Sequence, residues 1–315
     1  MAANFCFDFA IAESDQDSLA YTQKPNEKKA NECTLKMAEF INPTNELLKG
    51  VLNGQPVAQI IELPRLGNDE NKYCLRHFSV KYVESLMRDS HEYSFSGTSQ
   101  ALRSNSDLIP SVYEGGMKIW ECSVDLIQFL HKIVAEQGEL VMAGKKVLEL
   151  GCGAGLPGIY ALLNGATVHF QDYNEEVLKL FTIPNAALSL NSQKLPIVLS
   201  ENWTLLETLE NTCKFVSGDW GSASSILEAS SYDVILTSET IYNIDRQQAL
   251  YDLIRYTLKP SGVVFVAAKS YYFGVGGGTD QFVNFVRKDG VFDVCTVCTH
   301  CDGVKREILK MEMVS

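Results

Sequence analysis

The chain has 315 residues, 46% of them hydrophobic, and carries 27 Lys and Arg against 39 Asp and Glu, for a net charge of −12. That length and composition fit one large core, or one and a half, and the mean hydropathy of −0.04 is that of an ordinary soluble domain. The acidic balance disfavours direct contact with nucleic-acid phosphates and favours basic partners, and no apolar run approaches the eighteen or so residues of a membrane helix.

Nine cysteines, an odd number scattered from Cys6 to Cys301, argue for reduced thiols rather than a disulfide framework. The first ten residues lack a basic segment and include Asp8, so neither a secretory signal nor a mitochondrial presequence is expected. Cytoplasm and nucleus, with the nucleolus as one location within it, are the expected compartments.

Residues 1–108 read as a variable N-terminal region, partly disordered and with short strands. Glu13 to Glu32 is polar and interrupted by Pro25, so residues 1–45 are expected to be poorly ordered, and Phe5 to Ile11 reads as frayed or as a short docking motif. Strand-like patterns run from Pro56 to Ile61 and from Lys72 to Tyr82. His91 to Asp107 is polar again, rich in Ser, Gly and Asn, and reads as a linker or a substrate-facing flap. The main domain is placed at 109–315. Its first element is an amphipathic helix from Lys118, on which Leu126, Ile127, Leu130, Ile133 and Val134 recur at helical spacing.

The stretch from Val147 to Tyr160, V-L-E-L-G-C-G-A-G-L-P-G-I-Y, organises the rest of the chain. A strand runs into Gly151, Gly153 and Gly155 and then into a helix, the first crossover of an open parallel sheet whose ligands sit beyond the strand ends. A dinucleotide fingerprint would need a third glycine at 156, where Leu156 stands. The register E-x-G-x-G-x-G instead resembles motif I of the seven-strand methyltransferases, which bind S-adenosylmethionine. Asp172 ends the next strand, 21 residues after Gly151, where a carboxylate can accept from both ribose hydroxyls or, more plainly, cap the helix near Asn174.

Beyond it, Pro184 is expected to interrupt a helix, and Pro196–Leu199 and Phe215–Val216 read as strands. Tyr232–Thr237 is an apolar strand of buried parallel type. A helix over Arg246–Leu258 stops at the turn Lys259-Pro260-Ser261-Gly262, before a strand at Val263–Ala268. Another helix occupies Thr279–Lys288. A hairpin, Phe292–Thr299 and Val304–Met313, closes the chain across Asp302-Gly303. The fold class is therefore α/β, a Rossmann-like seven-stranded sheet with one reversed strand in a terminal antiparallel hairpin. Cys295, Cys298, His300 and Cys301 suggest zinc, but there is no second ligand pair; no metal is expected, and buried small hydrophobes fit the β pattern better.

E-G-G-M-K-I-W-E-C-S (residues 114–123), the glycine stretch, F-Q-D-Y-N, S-G-D-W, D-V-I-L-T-S-E-T-I-Y-N and A-A-K-S-Y-Y-F-G-V-G-G-G together resemble the histidine protein methyltransferases, relatives of the yeast enzyme that modifies a large-subunit ribosomal protein. The resemblance runs from Ile109 to the C-terminus and marks 109–315 as an S-adenosylmethionine-dependent domain. It implies that Ile119, Trp120, Glu121, Cys122 and Ser123 line the methionine end of the cofactor. Gly151 and Gly153 would present backbone to it, and Gln171, Asp172 and Tyr173 would hold the ribose and stack near the adenine. Asp219 and Trp220 would meet the adenine, and Ser238 would lie beside the transferring methyl. Glu239 and Tyr242, an acidic-x-x-aromatic pair common to the wider group of protein methyltransferases, would be catalytic.

The implied reaction is methyl transfer to a protein histidine, at the tele nitrogen, in a basic large-subunit ribosomal protein, with an effect on ribosome biogenesis or translation. A monomer is expected. Ser238-Glu239-Thr240-Ile241 replaces the Asn/Asp-Pro-Pro-aromatic motif of base-amino methyltransferases, which argues against nucleic-acid acceptors. Lysine methylation and a cofactor-binding chaperone of a ribosomal protein without catalysis remain as alternatives.

Overall fold

The computed structural model describes residues 36–48, 58–63, 74–192 and 204–314. In chain order its strands are β1 Glu39–Ile41, β2 Ala58–Glu62, β3 Cys74–Phe78, β4 Lys146–Leu150, β5 Thr167–Asp172, β6 Cys213–Ser217, β7 Tyr232–Ser238, β8 Leu258–Lys269, β9 Phe292–His300 and β10 Arg306–Met313. Among the described residues the central sheet runs β1-β6-β5-β4-β7-β8-β10-β9, with β2 and β3 as a separate antiparallel pair. Strands β6, β5, β4, β7 and β8 pair in parallel, and β10 reverses between β8 and β9. These are the seven strands with one reversed that the pattern predicts. Strand β1 is an eighth, antiparallel to β6 at the far edge.

The parallel strands send apolar side chains to both faces of the sheet, so both faces are buried. Val147, Val168, Phe170, Phe215, Val234 and Leu236 join one core, and Leu148, Leu150, Val216, Ile235, Val264 and Val266 the other. The helices Glu121–His131, Leu156–Leu163 and Ile183–Ser192 contribute to the first core, and Ile244–Thr257 and Thr279–Asp289 to the second. Arg306 on β10 donates from Nε to Asp125 Oδ2 at 2.6 Å, a buried pair that fixes helix Glu121–His131 against the sheet. No described helix is long and apolar enough to cross a membrane.

Several expectations are corrected. Glu39–Ile41 falls in a stretch expected to be poorly ordered, yet it pairs with β6 through backbone bonds that make few demands on side chains. The strand-like pattern extends to Tyr82, but the chain turns from β3 into a helix at Val80–Asp89. Part of the expected linker, Gly97–Arg103, is a helix capped by Ser96 Oγ, with Ala101 and Leu102 buried. Leu75, Phe78, Val83 and Met87 share the first core, and Phe78 N donates to Asn185 Oδ1 at 2.8 Å, so this part of the N-terminal region packs on the sheet domain.

Pro184 does not break its helix. The helical run continues from Glu175 to Ser192, and a π turn at Leu178–Thr182, just before Pro184, accommodates the missing N–H and the ring. The turn expected at Lys259–Gly262 is made inside β8: these residues loop out as a bulge, the Cβ position of Gly262 lying 3.0 Å from the Lys259 carbonyl, and a register shift against Tyr232–Val234 absorbs them. Cys295 and Cys301 are exposed rather than buried, because Cys295 lies on the edge strand β9 and Cys301 in the hairpin turn that follows it. The strand predicted at Pro196–Leu199 and the segment 1–35 lie outside the described residues.

Candidate active site

The C-terminal ends of β4, β5, β6 and β7 converge on a cleft of about 860 Å³, open to solvent on one side. Its floor is the glycine turn after β4. Gly151 and Gly153 take φ of +61° and +51°, a region that suits glycine. A Cβ on Gly151 would stand 2.6 Å from Thr240 Cγ2, and one on Gly153 would stand 3.1 Å from the Gly116 carbonyl. Glu149, buried in β4, braces the turn by accepting from Gly158 N at 2.8 Å. Its burial pushes the carboxyl well above the usual range.

Asp172 is buried at the tip of β5. Its Oδ2 accepts from Gly153 N at 2.9 Å and its Oδ1 from Asn174 N at 3.0 Å. Burial raises this carboxyl to about 6, against the pull of those two amides. Asn174 is the helix N-cap, so Asp172 tightens the turn into that helix without being its cap. Beneath the floor, Gln171 Nε2 donates to the Gly218 carbonyl at 2.8 Å while its Oε1 accepts from Trp220 Nε1 at 2.8 Å and Gly151 N at 3.3 Å. One buried amide thus sets two neighbouring loops, the glycine turn after β4 and the Gly218–Trp220 turn after β6. Asp219 caps the short helix Trp220–Ala223 through Gly221 N, and its Oδ2 takes Arg246 Nη1 at 3.0 Å.

The opposite wall carries two phenol–carboxylate couples. Tyr272 donates to Glu239 Oε2 at 2.5 Å, and Tyr242 donates to Glu114 Oε2. Burial holds both phenols well above their ordinary range, so each remains a donor. Glu239 sits at φ +56°, uncommon for a residue with a side chain, and its buried Oε1 has no hydrogen-bond partner. Lys269 Nζ stands 3.9 Å from that oxygen and 5.8 Å from the Trp120 ring. Glu239 does not cap the next helix, a role that Asn243 fills.

Ile119, Trp120, Ser123, Gly151, Gly153, Asp172, Tyr173, Asp219, Trp220, Ser238, Glu239 and Tyr242 all line the cleft. Three residues expected there do not. Glu121 is turned outward to within 3.9 Å of Arg306 Nη1. Cys122 is buried one position further along the same helix, its thiol behind the Glu239 carboxylate, and Gln171 acts from below. Trp120 is half-buried over the cleft, with Nε1 donating to the Gly115 carbonyl at 3.1 Å, rather than packed in the core. Glu114, Arg246, Lys269 and Tyr272 are further residues at the site. Glu114 and Tyr272 stand inside the motifs E-G-G-M-K-I-W-E-C-S and A-A-K-S-Y-Y-F-G-V-G-G-G, whereas Arg246 looks like any surface cation of an amphipathic helix.

A glycine turn after the first parallel strand, an acid at the end of the second and a reversed penultimate strand in the sheet define the class of S-adenosylmethionine-dependent methyltransferases. A family model described as lysine methyltransferase matches residues 100–284. The "Histidine protein methyltransferase 1 homolog" of Dictyostelium discoideum is 41% identical over 67% of this chain and 62% of its own length. The rat protein of the same name is 39% identical over 75% of this chain and 67% of its own. "Histidine protein methyltransferase 1" of Saccharomyces cerevisiae is 30% identical over 65% of this chain and 66% of its own. The chain belongs to the histidine protein methyltransferase 1 family. It spans less than two thirds of the Dictyostelium relative's length.

The residues present fit S-adenosylmethionine. In a dinucleotide fold the glycine-turn amides cradle a pyrophosphate. Here the Gly153 amide is taken by the Asp172 carboxylate, which would repel a phosphate and suits a cofactor without one. The flanking Trp120, Tyr173 and Trp220 offer aromatic surface to an adenine and a sulfonium.

Proposed function

We propose that the chain methylates the tele imidazole nitrogen of a histidine in a basic large-subunit ribosomal protein, in the cytoplasm and nucleus, with an effect on ribosome biogenesis or translation. The relatives' names support histidine as the acceptor, and the ribosomal substrate rests on the family resemblance. The observation that carries the reading is the buried Glu239 carboxylate, its Oε2 held by Tyr272 and its Oε1 left without a hydrogen-bond partner.

Bound S-adenosylmethionine supplies an electrophilic methyl group. The protein must therefore hold an acceptor with its lone pair aimed and keep water away. A neutral imidazole, with an ordinary pKa near ~6.5, arrives with that lone pair available. Glu239 Oε1 accepts the N–H of the other ring nitrogen, which fixes the tautomer and balances the positive charge that develops. Neither Tyr242 nor Tyr272 can serve as a base, because each is locked as a donor to a carboxylate. A lysine acceptor would meet the same two carboxylates as an ammonium ion, which they stabilise against losing its proton.

Lysine remains the second reading because the matching family model carries that description. Hydrolysis of a labelled substrate decides between them: label is expected in methylhistidine, and label in methyllysine would end the histidine reading. At saturating cofactor the rate should rise with pH through about 6.5 and then level, whereas a lysine would keep gaining reactivity towards about 10.

The net charge of −12 supports a basic partner. Affinity for the protein substrate is expected to fall at least about tenfold between about 0.05 and 0.5 M salt. Binding that ignores salt would mean that apolar contacts select the substrate.

A further inference from the structure

Two loops leave the ends of β5 and β6 and wall one end of the cleft: Asp172-Tyr173 and Gly218-Asp219-Trp220. A residue 137 positions before Tyr173 ties them together. Lys36 Nζ donates to the Tyr173 carbonyl at 2.9 Å and stands 5.3 Å over the Tyr173 ring. The carbonyl of the same residue accepts from Asp219 N at 3.0 Å and from Ser222 Oγ at 2.8 Å. From there the chain runs into β1, with Glu39, Phe40 and Ile41 opposite Ser217, Val216 and Phe215, and Ser217 Oγ donates to Glu39 Oε1 at 3.3 Å.

Gly218 gives an independent sign that this contact is built in. At φ +120° its position disfavours a side chain, and a Cβ there would stand 2.7 Å from both Ala38 Cα and the Met37 carbonyl. The close approach that calls for glycine is made by the N-terminal segment lying across the turn.

We propose that residues 36–41 are a clamp on the cofactor site and that Lys36 is its positioning residue. The bases of the two loops are joined, Gly218 N donating to the Asp172 carbonyl at 3.0 Å, but the parts beyond can drift apart, and a ligand that spans both must order them on binding. Lys36 orders them in advance, its ammonium on one loop and its carbonyl on the other. It touches neither the acceptor nor the reacting atoms, so its effect falls on cofactor affinity. The inference rests on the cofactor assignment of the cleft and is indifferent to which residue receives the methyl group.

The test uses the full chain with S-adenosylhomocysteine as probe and no acceptor, read by titration calorimetry alongside melting of the ligand-free protein. Lys36→Ala is expected to raise Kd about tenfold, and Lys36→Arg, which keeps charge and donor, to stay within about threefold of the wild type. Ligand-free melting should be unchanged in both, because Lys36 is only half-buried and the β1 ladder remains. Amide exchange at Asp219 should quicken in Lys36→Ala. Wild-type affinity in Lys36→Ala overturns the clamp. So does a loss of affinity accompanied by an equal loss of ligand-free stability, which would make β1 an edge strand and no more. A wild-type chain that fails to bind the probe would remove the cofactor assignment and the clamp together.

Discussion

Asp172→Ala is expected to weaken S-adenosylmethionine binding by at least about a hundredfold and to cost roughly 2–4 kcal/mol of stability, since two buried backbone donors lose their acceptor. The larger effect falls on binding, because the Gly153 amide that Asp172 holds is part of the floor on which the cofactor rests. The carboxyl also sets a pH dependence. Its folded pKa, about 6, lies above the ordinary 3.8, so the stability it contributes is full below about 3.8 and is lost as pH rises through about 6. Ligand hydroxyls that donate to the ionised carboxylate oppose that loss. Affinity should therefore rise about tenfold from pH 5 to 7 and then level. Asp172→Asn should flatten the profile, and titrations at three pH values check it. A wild-type profile that is already flat would remove Asp172 from the ribose contact.

The turn at Gly151–Gly155 was legible because its needs are local: positive φ and close backbone approach admit few residues. The parallel strands were legible because burial on both faces calls for consecutive apolar residues such as Val234–Leu236. Strand β1 was not, since three residues joined through backbone bonds leave almost no side-chain signature in a polar stretch. The turn at Lys259–Gly262 was legible from its Pro and Gly, but its place as a bulge inside one long strand was not, because Pro and Gly punctuate turns and bulges alike. Arg246 is hidden for a different reason. Its role depends on Asp219 and Ser111, 27 and 135 residues away, and nothing in its own neighbourhood betrays either. Glu114 shows the intermediate case. Its motif stands out, but its pairing with Tyr242 separates the expected Glu239–Tyr242 pair into two couples that only the fold reveals.

Glu239→Gln should lower kcat on the order of a hundredfold while leaving the cofactor Kd within about twofold, the pattern of an interaction made chiefly in the transition state. The substitution keeps side-chain size, and an amide oxygen can still accept from Tyr272. What it removes is the negative charge beside Lys269 and Trp120, where an imidazole ring that gains a methyl group also gains a positive charge. Tyr272→Phe is the companion variant. It frees Glu239 Oε2 without discharging the carboxylate, so the rate should fall only about threefold to tenfold through loosened orientation. Backbone geometry argues the same way. A glutamate held at φ +56° costs folding free energy of about 1–3 kcal/mol that an asparagine or glycine would largely avoid. Retaining that strain, with Glu239 N anchored to the Ala267 carbonyl at 2.9 Å, makes sense where the carboxylate has a task after folding is complete. A Glu239→Gln enzyme that turns over within about threefold of the wild type would leave that strain unexplained and would return tautomer selection to the substrate itself.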